Sequence, residues 1–231
     1  MPLFAPIMWD PHYLLEVDAL LLTAAREHAR RARVPKSKIE PLTRRLDRLQ
    51  ERMDELDPWE DGDEVESLAI QMEGTYGELA AAYTPVFRLC AQAHINAALA
   101  IEAHTNRKIL RHLAKEPGIE RVLRMSPVEK VQELLQRKGG GPLGKDESPL
   151  PKFQTLVKTR NALVHYRPRR LPVPATRLPT PPRKLGLEPG LAQRSVRTAE
   201  EVIKEVCHRL GERPPHWAAG DVYSVFAFEM D

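Results

Sequence analysis

Residues 86–113 read VFRLCAQAHINAALAIEAHTNRKILRHL, and this stretch decides the fold. It contains no proline or glycine, and residues that favour helices fill most of its positions, so it predicts one long helix. Alanine dominates its middle, which lets a second helix approach closely. Thr84 and Pro85 are typical of a helix start, as a cap followed by a first-turn proline. Pro117-Gly118 predicts the end of the helix before residue 117.

Apolar residues at three- and four-residue spacings predict further helices on both sides of this stretch. The predicted spans are about 10–33, 37–56, 63–82, 127–137, 150–166 and 196–210. In the first span Asp10 is the predicted cap, and the predicted buried face consists of Leu14, Val17, Leu21 and Ala25. The tail at 221–228 alternates loosely and predicts a short strand or a docking segment. The expected fold class is all-α.

Composition agrees with such a fold, and the two cysteines indicate the cellular compartment. The chain has 231 residues, 42% hydrophobic and 29% charged, which is ordinary for a globular protein, and its 6% aromatic content favours helices over a β-sandwich. Cys90 and Cys207 lie in apolar stretches without zinc-finger spacing, so we expect buried thiols in a reducing, cytoplasmic compartment. We expect no signal peptide, because the first residues contain no basic n-region and reach Asp10 and Glu16 early. We expect no membrane span, because no run of 18 uncharged apolar residues occurs.

The stretch that indicates chemistry is KTRNALVHYRP, residues 158–168. It falls at the end of the predicted sixth helix. Asn161 and His165 are four residues apart, so they lie on one helix face, and the long side chain of Arg160 can reach the same groove. We expect a guanidinium, an amide and an imidazole to converge there.

These three groups suit the cleavage of a phosphodiester. The guanidinium of Arg160 matches phosphate oxygens, and the imidazole of His165 can take a proton from a ribose 2′-hydroxyl or give one to a leaving oxygen. Asn161 can orient the imidazole or donate to the phosphate. Attack by the 2′-hydroxyl would need no metal or cofactor, and none is expected. On residue types alone, a helix end braced by capping contacts and ion pairs remains an alternative.

The segment RNALVH resembles the R-x4-6-H motif of the HEPN family (higher eukaryotes and prokaryotes nucleotide-binding), in which Asn commonly follows the Arg. The flanks are similar too. Residues 126–130, SPVEK, open a helix before a glycine-rich loop, and residues 100–106, AIEAHTN, resemble the family's second core helix. Some toxin members carry a Tyr two residues after the His, where this chain has Arg167. The resemblance covers roughly residues 84–212.

Membership of this family would imply an up-and-down helical bundle and a metal-independent endoribonuclease in toxin–antitoxin systems or antiviral defence. The expected partners are RNA, a second copy of the chain and an antitoxin protein. The catalytic residues would be Arg160, Asn161 and His165. Glu102 and Asn106 could line the cleft or only pair with basic neighbours. The core would span residues 84–231, and residues 1–83 would be a helical extension packed on it.

A basic, proline-rich segment follows the motif. Residues 167–197 contain eight basic residues and one acidic residue. This segment could hold RNA phosphates or could be a solvated linker. The predicted substrate-binding residues nearest the motif are Tyr166, Arg167, Arg169 and Arg170. A second functional reading, a HEPN-fold module that binds RNA, a nucleotide or a protein without cleaving it, also remains open.

Overall fold

The computed structural model describes residues 13–57, 59–144, 149–165, 186–219 and 226–228, and these residues confirm an all-α fold. Two three-residue strands, β1 (Tyr13–Leu15) and β2 (Phe226–Phe228), pair antiparallel. The helices are α1 (Val17–Arg31), α2 (Lys36–Asp54), α3 (Gly62–Leu113), α4 (Ile119–Leu123), α5 (Pro127–Arg137), α6 (Leu150–Val164) and α7 (Pro189–Arg209), followed by a 3₁₀ turn at His216–Ala219.

The main core is built around the second half of α3. Ala93, Ala97 and Ala100 recur at helical spacing and are completely buried. They belong to one cluster with residues from α1, α5, α6 and α7, among them Leu22 of α1. Because alanine side chains end at Cβ, helices can pack close to this face of α3, as the alanine content predicts.

A smaller core joins α2 to the first half of α3. Ile39 and Leu46 of α2 pack with Leu79 of α3, and Tyr76 and Tyr83 lie against them. The apolar residues of α2, at the three- and four-residue spacings that predicted this helix, therefore face α3.

The predicted break at Thr84-Pro85 is wrong, because α3 runs through both residues as one helix of 52 residues. Thr84 does not cap a helix start, and its hydroxyl donates instead to the carbonyl of Ala80 at 2.8 Å. A proline inside a helix removes one backbone donor, and the two cores that hold α3 on either side of this point compensate for that loss. The domain division at residue 83 remains a prediction. Residues of α1 lie in the main core together with residues of the later helices.

Two other helix starts differ from their predicted positions. The first helix begins at Val17, and its buried face contains Ala19, Leu22 and Ala25, whereas Val17 is 44% exposed. The predicted face is therefore confirmed at Ala25 and partly at Leu21, which packs against the main core. It is wrong at Val17 and at Leu14, because residues 13–15 form β1 and Leu14 never joins the helix. The last long helix begins at Pro189, since a first-turn proline is tolerated there. The predicted cap Asp10 lies outside the described residues.

Several local predictions are confirmed. Residues 126–130 open a helix as predicted, and Ser126 and Glu129 form a capping box at its start. The two cysteines are free and buried. Strand β2 confirms the strand interpretation of the tail. Within the described ranges, no helix is both long and apolar enough to cross a membrane.

The continuity of α3 predicts the effect of replacing Pro85, whose side chain is exposed. We expect Pro85→Ala to raise the free energy of unfolding by about 1–3 kcal/mol, because alanine restores a backbone donor inside a helix. Urea denaturation followed by circular dichroism measures this change.

Pro127→Ala is the matched control. Pro127 is the first residue of α5, where the missing N–H would have no helical partner, so the change should stay within about 0.5 kcal/mol. A Pro85→Ala protein that is no more stable than the wild type would argue against a continuous helix.

Candidate functional site

The predicted catalytic residues lie on the last turn of α6. This helix is anchored by Leu150, Phe153 and Leu156, which are buried in the main core. The anchor faces inward in the first half of the helix, while the second half carries the motif to the surface. Arg160 is half-buried, and Asn161 and His165 are exposed.

Arg160 and Asn161 are joined directly. The Arg160 guanidinium donates from Nη1 to Oδ1 of Asn161 at 2.9 Å. His165 ends the helix, and its backbone N–H donates to the carbonyl of Asn161 at 2.9 Å. Within the described part of the chain, no carboxylate forms an ion pair with Arg160. The guanidinium therefore keeps donors that can face an anion.

The other predicted site residues in the described ranges lie on α3. Glu102 accepts a hydrogen bond from Nζ of Lys130 on α5 at 3.0 Å, and the Lys130 side chain is only 5% exposed. Oδ1 of Asn106 is buried, with no hydrogen-bond partner among the described residues. No hydrogen bond in these ranges joins either residue to the motif, so their role in the cleft stays a prediction. Tyr166, Arg167, Arg169 and Arg170 lie outside the described residues.

A cleft of about 700 Å³ lies beside the motif, between α6 and α7. Its wall on α6 runs from Pro151 to Thr159, one residue before Arg160. On α7 it is lined by residues that include Arg194 and Arg197, both exposed and with no ion-pair partner among the described residues. The sequence placed these two arginines in a basic segment, and α7 brings them to the side of α6.

The floor of this cleft contains a buried histidine. Nε2 of His94 lies 2.6 Å from the carbonyl oxygen of Gly186, and Nδ1 lies 2.7 Å from Oγ of Ser195. A carbonyl can only accept, so Nε2–H donates to Gly186. Burial lowers the pKa of His94, although the Gly186 carbonyl acts in the opposite direction. The neutral ring then uses Nδ1 as an acceptor for the Ser195 hydroxyl.

The backbone at Gly186 permits this contact. Its φ of +70° lies in the left-handed region, and a Cβ there would stand 3.2 Å from Nε2 of His94 and 3.2 Å from Cγ2 of Thr159. Glycine avoids both the backbone strain and the crowding. Gly186 is thus held between the helix that carries the motif and α3.

A second buried histidine links α1, α3 and α7. Nδ1–H of His104 donates to Oδ2 of Asp18 at 2.9 Å, and Nε2 lies 3.5 Å from Sγ of Cys207. Burial would raise the pKa of Asp18, but the hydrogen bond from His104 and the charge of Arg107 outweigh it and hold the pKa below its usual range. Burial lowers the pKa of His104 despite the Asp18 carboxylate.

The order Cys–His–Asp resembles a nucleophilic triad, but this group is sealed. Cys207, His104 and Asp18 are at most 2% exposed, and burial raises the pKa of the Cys207 thiol. A substrate cannot reach the sulfur, and the thiolate is disfavoured. The group therefore cross-links the bundle. Within the described ranges, no group of three or more His, Cys, Asp or Glu side chains has an arrangement that could hold a metal ion.

Sequence spacing could not reveal these two buried contacts. His94 and Ser195 are 101 residues apart, and His104 and Asp18 are 86 residues apart. The one local signal was a histidine inside an otherwise apolar helical stretch, which predicts a buried imidazole that needs partners.

Comparisons with known protein families, with curated proteins and with solved structures find no match for this chain. The likeness to the HEPN family therefore rests on the residues of the motif and its flanks.

The two buried histidines predict that stability falls below pH 6.5. In the unfolded chain each ring takes up a proton near its ordinary pKa of 6.5, whereas the folded protein resists protonation. Stability is fully present above this pH and is lost as the pH falls toward the folded pKa values. The free energy of unfolding should drop by up to about 2.7 kcal/mol per pH unit, or about 1.4 for each histidine.

Urea titrations at several pH values between 5 and 7 measure this slope. His94→Gln and His104→Gln should each reduce it by about one proton. His208→Gln is the control, because it makes the same substitution at an exposed position outside both buried contacts. An equal loss of slope in this variant would argue against a specific role of the buried rings. A stability that does not vary with pH in this range would contradict the assignment of neutral buried imidazoles.

Proposed function

We propose that this protein is a metal-independent endoribonuclease of HEPN type that uses Arg160, Asn161 and His165. The observation that carries the proposal is their placement on one solvent-accessible helical turn, with a guanidinium that has no carboxylate partner in the described ranges. An arginine that only braced a helix end would be expected to pair with a carboxylate or with terminal carbonyls.

Each residue has a distinct part in the proposed reaction. His165 takes the proton from the ribose 2′-hydroxyl, which then attacks the adjacent phosphorus. Arg160 donates to the phosphate oxygens, on which negative charge increases in the transition state. Asn161 accepts from the guanidinium and so fixes its direction. The bond to the 5′-oxygen breaks, and the products carry a 2′,3′-cyclic phosphate and a 5′-hydroxyl.

The motif turn is open to solvent, and a second protein surface is needed to enclose it. None of the three residues lines the neighbouring cleft, and Val164, between Asn161 and His165 in sequence, is 48% exposed. In the proposed enzyme a second copy of the chain covers this turn, so that two motifs face one RNA strand. One His165 would then act as base and the other as acid. An interface with Val164 at its centre would exclude water from both.

A role in a toxin–antitoxin system or in antiviral defence follows from the resemblance and is part of the proposal. The antitoxin would be a protein that covers the exposed motif turn. The second candidate is a non-catalytic binding module. The Arg160 guanidinium, which forms no ion pair with a carboxylate in the described ranges, supports it equally, because phosphate binding needs no proton transfer.

We expect the wild-type protein to cut single-stranded RNA in the presence of EDTA and to leave DNA intact, since deoxyribose lacks the attacking hydroxyl. His165→Ala should lower the cleavage rate about 10²- to 10⁴-fold, the usual contribution of a general acid or base. Arg160→Ala should lower it to a similar extent. A gel assay with end-labelled RNA measures both rates.

His208→Ala and Arg124→Ala are the matched controls, because both residues are exposed near helix ends and lie outside the motif. The controls should retain the wild-type rate. All four variants should keep their stability within about 0.5 kcal/mol. RNA that is bound but never cut by the wild type would favour the binding module.

Adding an inactive variant to the wild type tests the shared cleft. A mixed dimer of wild-type and His165→Ala subunits contains a single His165, so it lacks either the base or the acid of the proposed reaction. We expect an excess of the His165→Ala protein to lower the cleavage rate of a fixed amount of wild type, with the same gel assay as the measurement. Mass-spectrometric evidence of mixed dimers without a fall in rate would contradict the two-subunit site.

A further inference from the structure

The cleft between α6 and α7 is lined by hydroxyl, arginine and apolar side chains that take no part in the proposed cleavage. It borders the motif helix from Pro151 to Thr159, a distance of about 12 Å at the helical rise. Its volume of about 700 Å³ lies within the range of small-ligand sites. It therefore has room for a ligand next to the proposed cleavage site.

Three of the hydroxyl groups that line the cleft donate their hydrogens within the protein. Ser195 donates to Nδ1 of His94, as the neutral ring requires. Thr155 donates to the carbonyl of Pro151 at 2.9 Å, and Thr198 donates to the carbonyl of Arg194 at 2.9 Å. What these three oxygens can offer a ligand is therefore acceptor lone pairs. A matching ligand carries N–H or O–H donors.

The rim of the cleft offers the opposite chemistry. Arg194 and Arg197 are three residues apart, so they lie on neighbouring parts of one face of α7. Their guanidinium groups supply donors and positive charge. Lys152 also lies at the rim, but Glu201 neutralises it through an ion pair of 2.8 Å. The remaining positive charge of the rim is thus concentrated at the two arginines.

Apolar side chains complete the walls. Leu156 is buried on the α6 side, and Leu191 is half-buried on the α7 side. A flat ring with polar edges can lie against such walls while its donors face the hydroxyl oxygens.

We propose that this cleft binds one ribonucleoside phosphate unit, with the phosphate at Arg194 and Arg197 and the donors of the base and ribose facing the hydroxyl oxygens of Ser195, Thr155 and Thr198. This inference rests on the proposed function, because a cleft that ends one residue from Arg160 would take the nucleotide beside the cleaved bond. A free nucleotide has the same chemistry and is the other possible source of the ligand.

The test compares two double variants that remove the same charge at the same spacing. Arg194→Ala/Arg197→Ala removes the rim arginines. Arg45→Ala/Arg48→Ala removes two exposed arginines from α2, a helix that packs on α3 and belongs to the smaller core. Isothermal titration with AMP, CMP, GMP and UMP, and with the corresponding nucleosides that lack phosphate, measures affinity for the wild type and both variants.

We expect at least one monophosphate to bind the wild type at one site per chain. Its affinity should fall tenfold or more in Arg194→Ala/Arg197→Ala and change less than twofold in Arg45→Ala/Arg48→Ala. The matching nucleoside should bind at least tenfold more weakly than its monophosphate. In the RNA cleavage assay the rim variant should show a raised KM, with kcat within about threefold of the wild type.

The results separate this inference from the proposed nuclease function. Cleavage that depends on His165, with a KM unaffected by the rim variant and no monophosphate binding, overturns the cleft proposal and leaves the nuclease intact. Monophosphate binding with the expected pattern, in a protein that never cuts RNA, supports the cleft as a site for free nucleotides and overturns the nuclease. Equal losses in both double variants would mean general charge attraction and would overturn the cleft site.

Discussion

The close approach of helices to the alanine face of α3 is the constraint on which the rest of the structure depends. Ala93, Ala97 and Ala100 present little more than a backbone surface, and α1, α6 and α7 contribute side chains to the core around it. The same helical periodicity places His104 four residues after Ala100, where the neighbouring helices seal it. Larger side chains along this face would push these helices apart and admit water to the buried histidines.

Solvent accessibility distinguishes two groups of polar side chains in this molecule. The Asp18, His104 and Cys207 group has the order of a catalytic triad but is closed to solvent, so its hydrogen bonds serve to join α1, α3 and α7. Arg160, Asn161 and His165 are not enclosed by a network of buried hydrogen bonds. They lie at the surface of the protein. Leu150, Phe153 and Leu156 are buried in the main core and anchor α6, and the exposed turn lies at the other end of that helix.

The sequence predicted the elements that depend on local signals. The start of a helix at residues 126–130, the extent of α6 and the burial of both cysteines follow from neighbouring residues alone. The break predicted at Pro85 was wrong because tertiary packing on both sides compensates for one missing backbone donor. The start of α1 was misplaced because the pairing of β1 with β2 depends on residues more than 200 positions away.

The candidate site shows the same division between local and distant information. The motif could be found because its residues are neighbours on one helix. The cleft beside it could not, because His94 of α3, the residues of α6 and residues 186–201 come from three separate parts of the chain. These parts come together only because α7 packs against α3. The spacing of residues in the sequence does not predict that packing.

The chemical identity of the RNA ends tests the central claim most directly, because it reports which oxygen attacked the phosphorus. Mass spectrometry of the products formed in EDTA should find a 2′,3′-cyclic phosphate on one fragment and a 5′-hydroxyl on the other. Fragments that end in a 3′-hydroxyl and a 5′-phosphate would require attack by water, and that result would contradict the proposed roles of Arg160 and His165.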